Sequence, residues 1–418
     1  ILDKVSHILD HGKVRKITAS DKDKILTQYE EFAEHALRVL WFAYKVEDWL
    51  DKQHCEEDLI FVGLQAMIDP AREEVKWSIA QAHEAGIRIV MITWDNKKTA
   101  QAIARQLDLP HKALSGAELD ALSDKKLLKK LKKVGIFARV TPSHKQRLVK
   151  LLQSKSYVVA MTWDGVNDAP ALKQADIGIA MGITGTDVSK QAADVILLDD
   201  NFSTIIEAVE EWRGIYDNIK KFVNYMFSTN ASEVLILFAM AMLWFPLPLL
   251  AIHLLWINLV TDGPPALALG IDPIDPDIMK RKPLPSSNNI LDATMIQNII
   301  FISLIITGVV VLFFVEWQHY DLAMARTWAM ILLVLLEIMR VQMIRSDYHV
   351  PVFANPWLRW ALALSFVATL AIVYTPLAQY FHTSAPSGAM RRDIILYAGI
   401  AYVGGMILTH LYPKKSLS

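Results

Sequence analysis

The sequence predicts an α/β part that contains a parallel sheet, followed by an all-α bundle of six transmembrane helices. Three observations support this prediction. Residues 1 to about 220 are polar and rich in charges, whereas the rest of the 418 residues is dominated by long apolar runs. Between residues 69 and 200, short apolar runs alternate with helical patterns, as in parallel sheets covered by helices. Later apolar runs approach the ~20 residues that a helix needs to cross a bilayer.

Composition excludes several classes of function. The formal net charge of −1 argues against a nucleic-acid partner that is bound through counterion release. Cys55 is the only cysteine, so an internal disulfide and a four-cysteine zinc site are excluded. No signal peptide is visible, and a start at Ile1 is expected of a chain that begins within a domain.

Residues 1–68 are predicted to form a small α/β piece. Helical spacing extends over residues 21–44, where Ile25 and Phe32 lie on or near one face. The apolar run at 59–67 predicts a buried strand.

Strands and helices alternate in residues 69–213. The apolar runs predict strands, which we place at 87–92, 157–161, 177–180 and 195–198. Helical patterns cover 97–107 and the lysine-rich 124–133, whose lysines are most simply a solvated face. Thr93 and Asp95 follow the first strand, at the sheet edge where open α/β sheets bind ligands.

The most specific stretch of the chain is MTWDGVNDAP at residues 161–170. A predicted strand ends in a turn that carries Asp164, Asn167 and Asp168, and Pro170 then begins a helix. Carboxylates clustered at a strand end suit Mg²⁺ beside a phosphate. The alternative is an ordinary polar loop between a strand and a helix. That alternative would explain an isolated Asp-Gly or Asn-Asp pair, but it does not explain the whole ten-residue run.

The second half of the chain predicts six spanning helices. We place them at 222–245, 249–270, 293–315, 325–344, 357–377 and 393–412. Lys220 and Lys221 precede the first span and suit a cytoplasmic interface, and most loop lysines and arginines fall on the same side.

Polar residues recur inside these spans. Five share helix faces at spacings of three and four residues, namely Asn230, Glu233, Asn258, Thr261 and Asp262. The sequence GPP at 263–265 then breaks the helix and frees carbonyl groups, which are tolerated in a membrane only inside protein or beside a cavity. Ionisable residues within a span are candidates for a functional site, and oxygen ligands of this kind suit Ca²⁺. Hydrogen bonding between helices is the alternative role.

Together these motifs resemble those of P-type ATPases. The run at 161–170 resembles the family's hinge motif TGDGVNDAP, and ARVTPSHK at 138–145 resembles its lysine motif. The runs MGITGTDV at 181–188 and AAD at 192–194 resemble its continuation. LWINLVTDGPPA at 255–266 is similar to a membrane segment of the calcium-pump branch. The resemblance covers nearly the whole chain.

The resemblance implies roles for the polar residues of the α/β part. Thr93 and Asp95 would hold phosphoryl oxygens, Lys145 would neutralise their charge, and Asp164 would bind Mg²⁺, supported by Asn167 and Asp168. Arg38 and Arg139 would join them around ATP. Taken alone, Arg38 on a helix surface and Lys145 on an exposed surface are the simpler interpretations.

The resemblance also implies a domain order and an ion site. Residues 1–68 would be the C-terminal part of a nucleotide-binding domain, 69–213 a phosphorylation domain of the haloacid-dehalogenase-like fold, and 214–418 the transmembrane domain. The five intramembrane polar residues match the family's Ca²⁺ ligands. Glu337 aligns with a further acidic ligand, but Arg340 lies one turn away and could pair with it. One or two Ca²⁺ sites are therefore both open.

Two departures from the family pattern stand out. Trp94 and Trp163 occupy positions where the family has glycine, which lets backbone approach a phosphate. The phosphorylated aspartate of the DKTGT motif is absent, as are the actuator domain and the first four membrane helices. The sequence therefore indicates the C-terminal half of a pump, which should not turn over alone.

The predicted function is ATP-driven Ca²⁺ transport through an aspartyl-phosphate on the missing half. The predicted ligands and partners are ATP, Mg²⁺, Ca²⁺, the lipid bilayer and the N-terminal half of the pump, without nucleic acid. We therefore expect a protein that crosses a plasma membrane or an endoplasmic-reticulum-type membrane several times. Three alternatives are a Ca²⁺/Mn²⁺ pump of the secretory-pathway kind, an inactive half that serves as a structural module, and a phosphohydrolase joined to a membrane anchor.

Overall fold

A computed structural model describes most of the chain. The described residues are 1–34, 37–46, 56–67, 72–163, 165, 169–285, 289–385 and 388–411. They form two compact units, Ile1–Ile206 and Glu207–Ser418. The predicted domain boundaries at 68 and 213 remain predictions.

The first unit begins with a four-stranded mixed sheet and one helix. Its elements are β1 (Val5–Asp10), β2 (Lys13–Lys16), α1 (Ala19–Glu34), β3 (Arg38–Tyr44) and β4 (Leu59–Met67). The strand order is β2-β1-β4-β3, in which β1 and β4 run parallel and the other pairs antiparallel. The strand predicted at 59–67 is confirmed.

The helix predicted over residues 21–44 is wrong in its second half. Helix α1 ends at Glu34, and residues 38–44 form β3, whose residues alternate between half-buried and exposed. Trp41 packs between Tyr29 of α1 and Phe61 of β4, with ring centroids 5.3 and 6.0 Å away. The aromatic and β-branched residues of this stretch favour a pleated, half-buried surface, and pairing with β4 decides the outcome.

The rest of the first unit holds two parallel three-stranded sheets covered by helices. One has the order β5-β7-β6 and the other β10-β9-β8. The strands are β5 (Met91–Thr93), β6 (Ala113–Ser115), β7 (Ile136–Ala138), β8 (Ala160–Trp163), β9 (Ile177–Met181) and β10 (Val195–Leu197). The helices are α2 (Glu73–Glu84), α3 (Lys97–Gln106), α4 (Gly116–Asp120), α5 (Asp124–Leu131), α6 (Pro142–Gln153), α7 (Ala169–Gln174) and α8 (Asp187–Ala192).

The predicted alternation of strands and helices is confirmed, with shifted boundaries. The strand expected at 87–92 is β5, and the one expected at 157–161 is β8, so both begin about three residues later. Strands β6 and β7, of three residues each, were not predicted from the sequence. Strand β7 is fully buried at the centre of its sheet, where Phe137 is 2% exposed.

The second unit consists of helices. They are α9 (Phe202–Met242), which starts in the first unit, α10 (Ala251–Trp256), α11 (Gly263–Leu269), α12 (Ala293–Trp317), α13 (Leu322–Ser346), α14 (Pro356–Tyr374), α15 (Ala378–Phe381) and α16 (Gly388–Leu411). A π-helical segment, Ile257–Asp262, joins α10 to α11, and a 3₁₀ turn spans Ile278–Lys280. Polar N-caps begin three of the long helices, with Asp292, Asp321 and Asn355 each accepting a backbone N–H bond.

Among the described residues of this unit, four helices are long and apolar enough to cross a membrane, namely α9, α12, α13 and α14. Helix α13 is the most enclosed, with 61% of its most apolar window buried. The predicted span at 249–270 is helical from Ala251 to Leu269, divided at the π-helical segment, and the span at 393–412 is helical as far as Leu411. Those two spans therefore remain predictions.

Candidate functional site

The carboxyl end of β5 carries a compact polar turn. The hydroxyl of Thr93 donates to Oδ2 of Asp95 at 2.8 Å, and the backbone N–H of Asp95 donates to Oγ1 of Thr93 at 3.1 Å. Asn96 caps α3 by accepting from the N–H of Lys98 at 3.2 Å. The turn therefore places a hydroxyl group and helix N-terminal N–H groups together, and both are donors that a phosphate can accept from.

Lys145 lies at the same end of the sheets, held by the start of α6. Pro142 occupies the first turn of the helix, and His144 accepts from the N–H of Thr141 at 3.1 Å while it contacts Asp120 at 2.8 Å. The Lys145 side chain is fully buried, so the interpretation as a surface lysine is wrong.

Two indoles surround the ammonium group of Lys145. Its Nζ lies 3.0 Å from the ring centroid of Trp163 and 5.3 Å from that of Trp94. Because Trp94 follows β5 and Trp163 ends β8, these contacts bring the two strand ends together. The prediction that these strand ends share one crevice is supported here by Lys145, Trp94 and Trp163.

The remaining predicted phosphate-site residues fall into two groups. Asp164, Asn167 and Asp168 lie outside the described residues, so the Mg²⁺ site remains a prediction. Arg38 is exposed at the start of β3 rather than on a helix, and Arg139 is exposed after β7 with a φ of 50°. Among the described residues, no hydrogen bond or ion pair joins either arginine to Thr93, Asp95 or Lys145.

Asp200 is a structural residue of this region that the sequence did not single out. Its carboxylate accepts from the backbone N–H groups of Ile183 and Thr184, at 3.0 and 2.7 Å, and from the Thr184 hydroxyl at 2.8 Å. Burial alone would raise the pKa of Asp200, but these hydrogen bonds hold it at about 2. In the same loop a Cβ on Gly185 would lie 2.0 Å from the Met181 carbonyl, so this position requires glycine. Asp200 therefore shapes the loop that follows β9.

A second polar site lies within the helices of the second unit. Asn258 donates to Oε2 of Glu233 at 2.8 Å, and the hydroxyl of Tyr225 donates to Oδ1 of Asp262 at 2.8 Å. Both contacts join α9 to the π-helical segment. Asn230 is half-buried on α9, three residues before Glu233.

The two prolines of α11 explain the irregular backbone at this site. Pro264 and Pro265 lack the N–H groups that would bond to the carbonyls of Val260 and Thr261. Ser365 of α14 donates to the Thr261 carbonyl at 3.0 Å and so replaces one of these bonds. π-helical turns of this kind are frequent at functional sites.

Several carboxylate oxygens at this site are buried without a donor. Oε1 of Glu233, Oδ2 of Asp262 and both oxygens of Glu337 accept no hydrogen bond from a fixed donor of the described residues, and the Asp262 and Glu337 carboxyls are close enough to share a proton. Buried polar atoms normally find a partner, so these oxygens fit a bound cation. In the described part of the chain, no three His, Cys, Asp or Glu residues form a metal cluster alone, so amide and hydroxyl oxygens would have to contribute.

Arg340 does not pair with Glu337. Its guanidinium donates to three neutral oxygens instead, at 3.2 Å to Ser228, 2.9 Å to Asn224 and 2.7 Å to Asn298. No ion pair joins the two residues, although both are described, so the Glu337–Arg340 pair considered from the sequence is wrong. Glu337 therefore stays a candidate ligand.

Comparison with known proteins agrees with these sites. The model of the family described as "Cation transporting ATPase, C-terminus" matches residues 246–409, and that of "P-type ATPase, cytoplasmic domain N" matches residues 1–74. The chain belongs to the P-type ATPase family. With its four long apolar helices, this P-type ATPase chain is a multi-pass membrane protein.

The relatives of this P-type ATPase chain are calcium-transporting ATPases. It is 43% identical over 412 residues to calcium-transporting ATPase 1 of Bacillus cereus, covering 92% of this chain and 46% of the relative. It is 40% identical over 398 residues to the calcium-transporting ATPase of Bacillus subtilis, and this match covers 92% of the present chain and 45% of the relative. Calcium-transporting ATPase 4, endoplasmic reticulum-type, of Arabidopsis thaliana is 42% identical over 351 residues, and this match covers 77% of the present chain and 33% of the relative. The chain thus spans at most about half the length of these curated relatives.

Proposed function

We propose that the chain is the C-terminal half of an ATP-driven Ca²⁺ pump, in which an aspartyl-phosphate on the other half is coupled to Ca²⁺ transport. The observation that carries this proposal is the set of buried carboxylate oxygens between α9, the π-helical segment and α13, which meet no donor among the described residues. Carboxylate oxygens that are buried in this way within the helices of a membrane protein are candidate ligands for a cation.

The chemistry of this proposed ion site favours Ca²⁺. Its side chains offer carboxylate oxygens from Glu233 and Asp262, amide oxygens from Asn230 and Asn258, and a hydroxyl oxygen from Thr261. Ca²⁺ takes six to eight oxygen ligands with flexible geometry, and it tolerates this mixture. Glu337 beside Asp262 would allow a second ion.

The proposed phosphoryl site uses groups of the first unit. Thr93 and the N–H groups at the start of α3 would hold phosphoryl oxygens, and Lys145 would neutralise their charge. Asp164 would hold Mg²⁺, which supplies charge neutralisation when bound. Phosphoryl transfer depends mainly on positioning and electrostatic stabilisation, which these groups offer.

The two parallel sheets suggest where the phosphorylated segment enters. Strands β5 and β8 are each at the edge of their sheet among the described strands, and both of their ends meet at Lys145. We infer that a strand from the missing half pairs with them and ends beside Lys145. Its carboxylate would then face the same crevice as Thr93 and Asp95.

Two other functions are less well supported. A Ca²⁺/Mn²⁺ pump of the secretory-pathway kind would not need Glu233 as a ligand, yet Oε1 of Glu233 is buried without a donor. An inactive structural half would have no need of buried carboxylates in a membrane, where such groups are costly.

The proposal is tested by Ca²⁺-activated ATP hydrolysis and Ca²⁺ uptake of the complete pump in sealed vesicles. Glu233→Gln and Asp262→Asn should abolish both activities, because each removes a ligand charge. Glu316→Gln is the matched control, since Glu316 contacts Tyr397 on α16 away from this site. ATP hydrolysis that does not depend on Ca²⁺, or Ca²⁺ uptake that is unchanged in both variants, would refute the proposal.

A further inference from the structure

A third buried polar cluster lies where α11 ends. Asp272 follows this helix, and its carboxylate is fully buried. Lys221 of α9 donates to Oδ2 at 2.9 Å, and Nε of Arg345, on α13, donates to the two oxygens at 3.1 and 3.2 Å. Asn355, the N-cap of α14, donates to Oδ1 at 3.0 Å. One carboxylate therefore joins the middle of α9 to the ends of α11, α13 and α14.

The partners of Asp272 are themselves fixed by further bonds. Lys221 also donates to Oδ1 of Asn218 at 3.0 Å, and Asn218 donates to the Asp272 carbonyl at 2.8 Å. Arg345 donates to the carbonyls of Pro351 and Val352 at 3.1 and 2.8 Å. Buried charges in such a fully bonded arrangement tolerate little displacement, because losing a partner leaves a charge unpaired.

Asp272 and Lys221 form one of three polar contacts along a single side of α9. The second joins Tyr225 to Asp262, and the third joins Glu233 to Asn258. Spacings of four and eight residues along α9 keep Lys221, Tyr225 and Glu233 close to one helix face. The three partners lie between residues 258 and 272, so this segment is bonded to α9 at both of its ends and between them.

The segment needs such an attachment because its own backbone is weakened. The π-helical turn and the two prolines remove regular helical hydrogen bonds immediately before and within α11. Without the bond at Asp272, the end of the segment could slide along α9. Asn258 and Asp262 would then move relative to Glu233 and Asn230.

We infer that Asp272 is a positioning residue for the ion site: paired with Lys221, it fixes the register of residues 258–272 against α9. This inference rests on the proposed Ca²⁺ transport. Loss of an outer partner that orients metal ligands typically weakens metal binding by about 10- to 100-fold. Breaking the contact between Lys221 and Asp272 should therefore weaken Ca²⁺ binding to that extent.

The test compares two variants of the complete pump that break different sides of the cluster. Lys221→Met removes the side-chain contact of Asp272 with α9, but it leaves the Asn218 bond to the Asp272 carbonyl and the pair of Asp272 and Arg345. Arg345→Met removes the contact with α13 but leaves the pair of Lys221 and Asp272. Asp277→Asn is the control, because this exposed carboxylate of the same loop pairs only locally with Lys280.

Equilibrium binding of ⁴⁵Ca²⁺ and phosphorylation by inorganic phosphate without Ca²⁺ are the two measurements. We expect K221M to bind Ca²⁺ about 10-fold more weakly or worse, with phosphorylation by phosphate unchanged. D277N should keep the affinity of the unmodified pump, and R345M, which leaves the pair of Lys221 and Asp272, should lose less affinity than K221M. Lys221→Gln replaces K221M if the latter does not fold.

Three results decide the inference. K221M with unchanged Ca²⁺ affinity would overturn it, and so would equal losses in K221M and R345M, since the cluster would then act through stability alone. A selective loss in K221M would support it. Absence of Ca²⁺ binding in the unmodified pump would instead refute the proposed function.

Discussion

The two tryptophans around Lys145 allow a quantitative prediction. Trp163 lies over the lysine ammonium at 3.0 Å from its ring centroid, and Trp94 lies at 5.3 Å. A desolvated cation–π contact is worth about 2 kcal/mol. A phosphoryl group must compete with this contact for Lys145, so removing both indoles should strengthen phosphate binding by up to about 30-fold, at 1.4 kcal/mol per factor of ten.

The assay is phosphorylation of the complete pump by ³²P-labelled inorganic phosphate in the absence of Ca²⁺. The double variant Trp94→Gly with Trp163→Gly should reach half-maximal phosphoenzyme at a lower phosphate concentration, and its ATP turnover should rise. Trp163→Phe keeps an aromatic face over the lysine and should behave like the unmodified pump. Phosphate affinity that is unchanged or weaker in the double variant would refute the reasoning.

Three further predictions concern other residues. Glu337→Gln should lower the number of Ca²⁺ ions bound per complete pump if Glu337 is a ligand, and unchanged stoichiometry would remove it from the site. Ser365→Ala should weaken Ca²⁺ binding about 5- to 30-fold, because a buried Thr261 carbonyl loses its donor at a cost of about 1–2 kcal/mol; unchanged ⁴⁵Ca²⁺ affinity would contradict this. Asp200→Asn should lower the melting temperature at neutral pH. Because the pKa of Asp200 is lowered to about 2, its stabilisation is complete above the unfolded value of about 3.9 and is lost as pH falls towards 2, where the variant and the parent should converge.

The sequence predicted the elements with strong patterns and missed those decided by tertiary contacts. Alternating strands and helices between β5 and β10 follow from apolar runs. Residues 38–44 have helical spacing but pair with β4, and no local pattern shows that partner. Strands β6 and β7 were not predicted, although they are as long as β5 and β10, which were.

The candidate sites, like the fold, were predicted from the sequence only in part. Spacing placed Asn258 and Asp262 on one face of a span, and the structure joins them to α9 through Glu233 and Tyr225. Spacing also suggested a pair between Glu337 and Arg340, whereas Arg340 bonds to oxygens on α9 and α12. Such contacts depend on which helices become neighbours, so the sequence alone could not decide between them.

Equilibrium binding of ⁴⁵Ca²⁺ to the complete pump, without ATP, is the most direct test of the proposed ion site. We expect saturable binding in the unmodified pump and its loss in Asp262→Ala, whose carboxylate is buried and accepts from Tyr225. Ca²⁺ binding that is absent from the unmodified pump, or that persists undiminished in Asp262→Ala, would contradict this expectation.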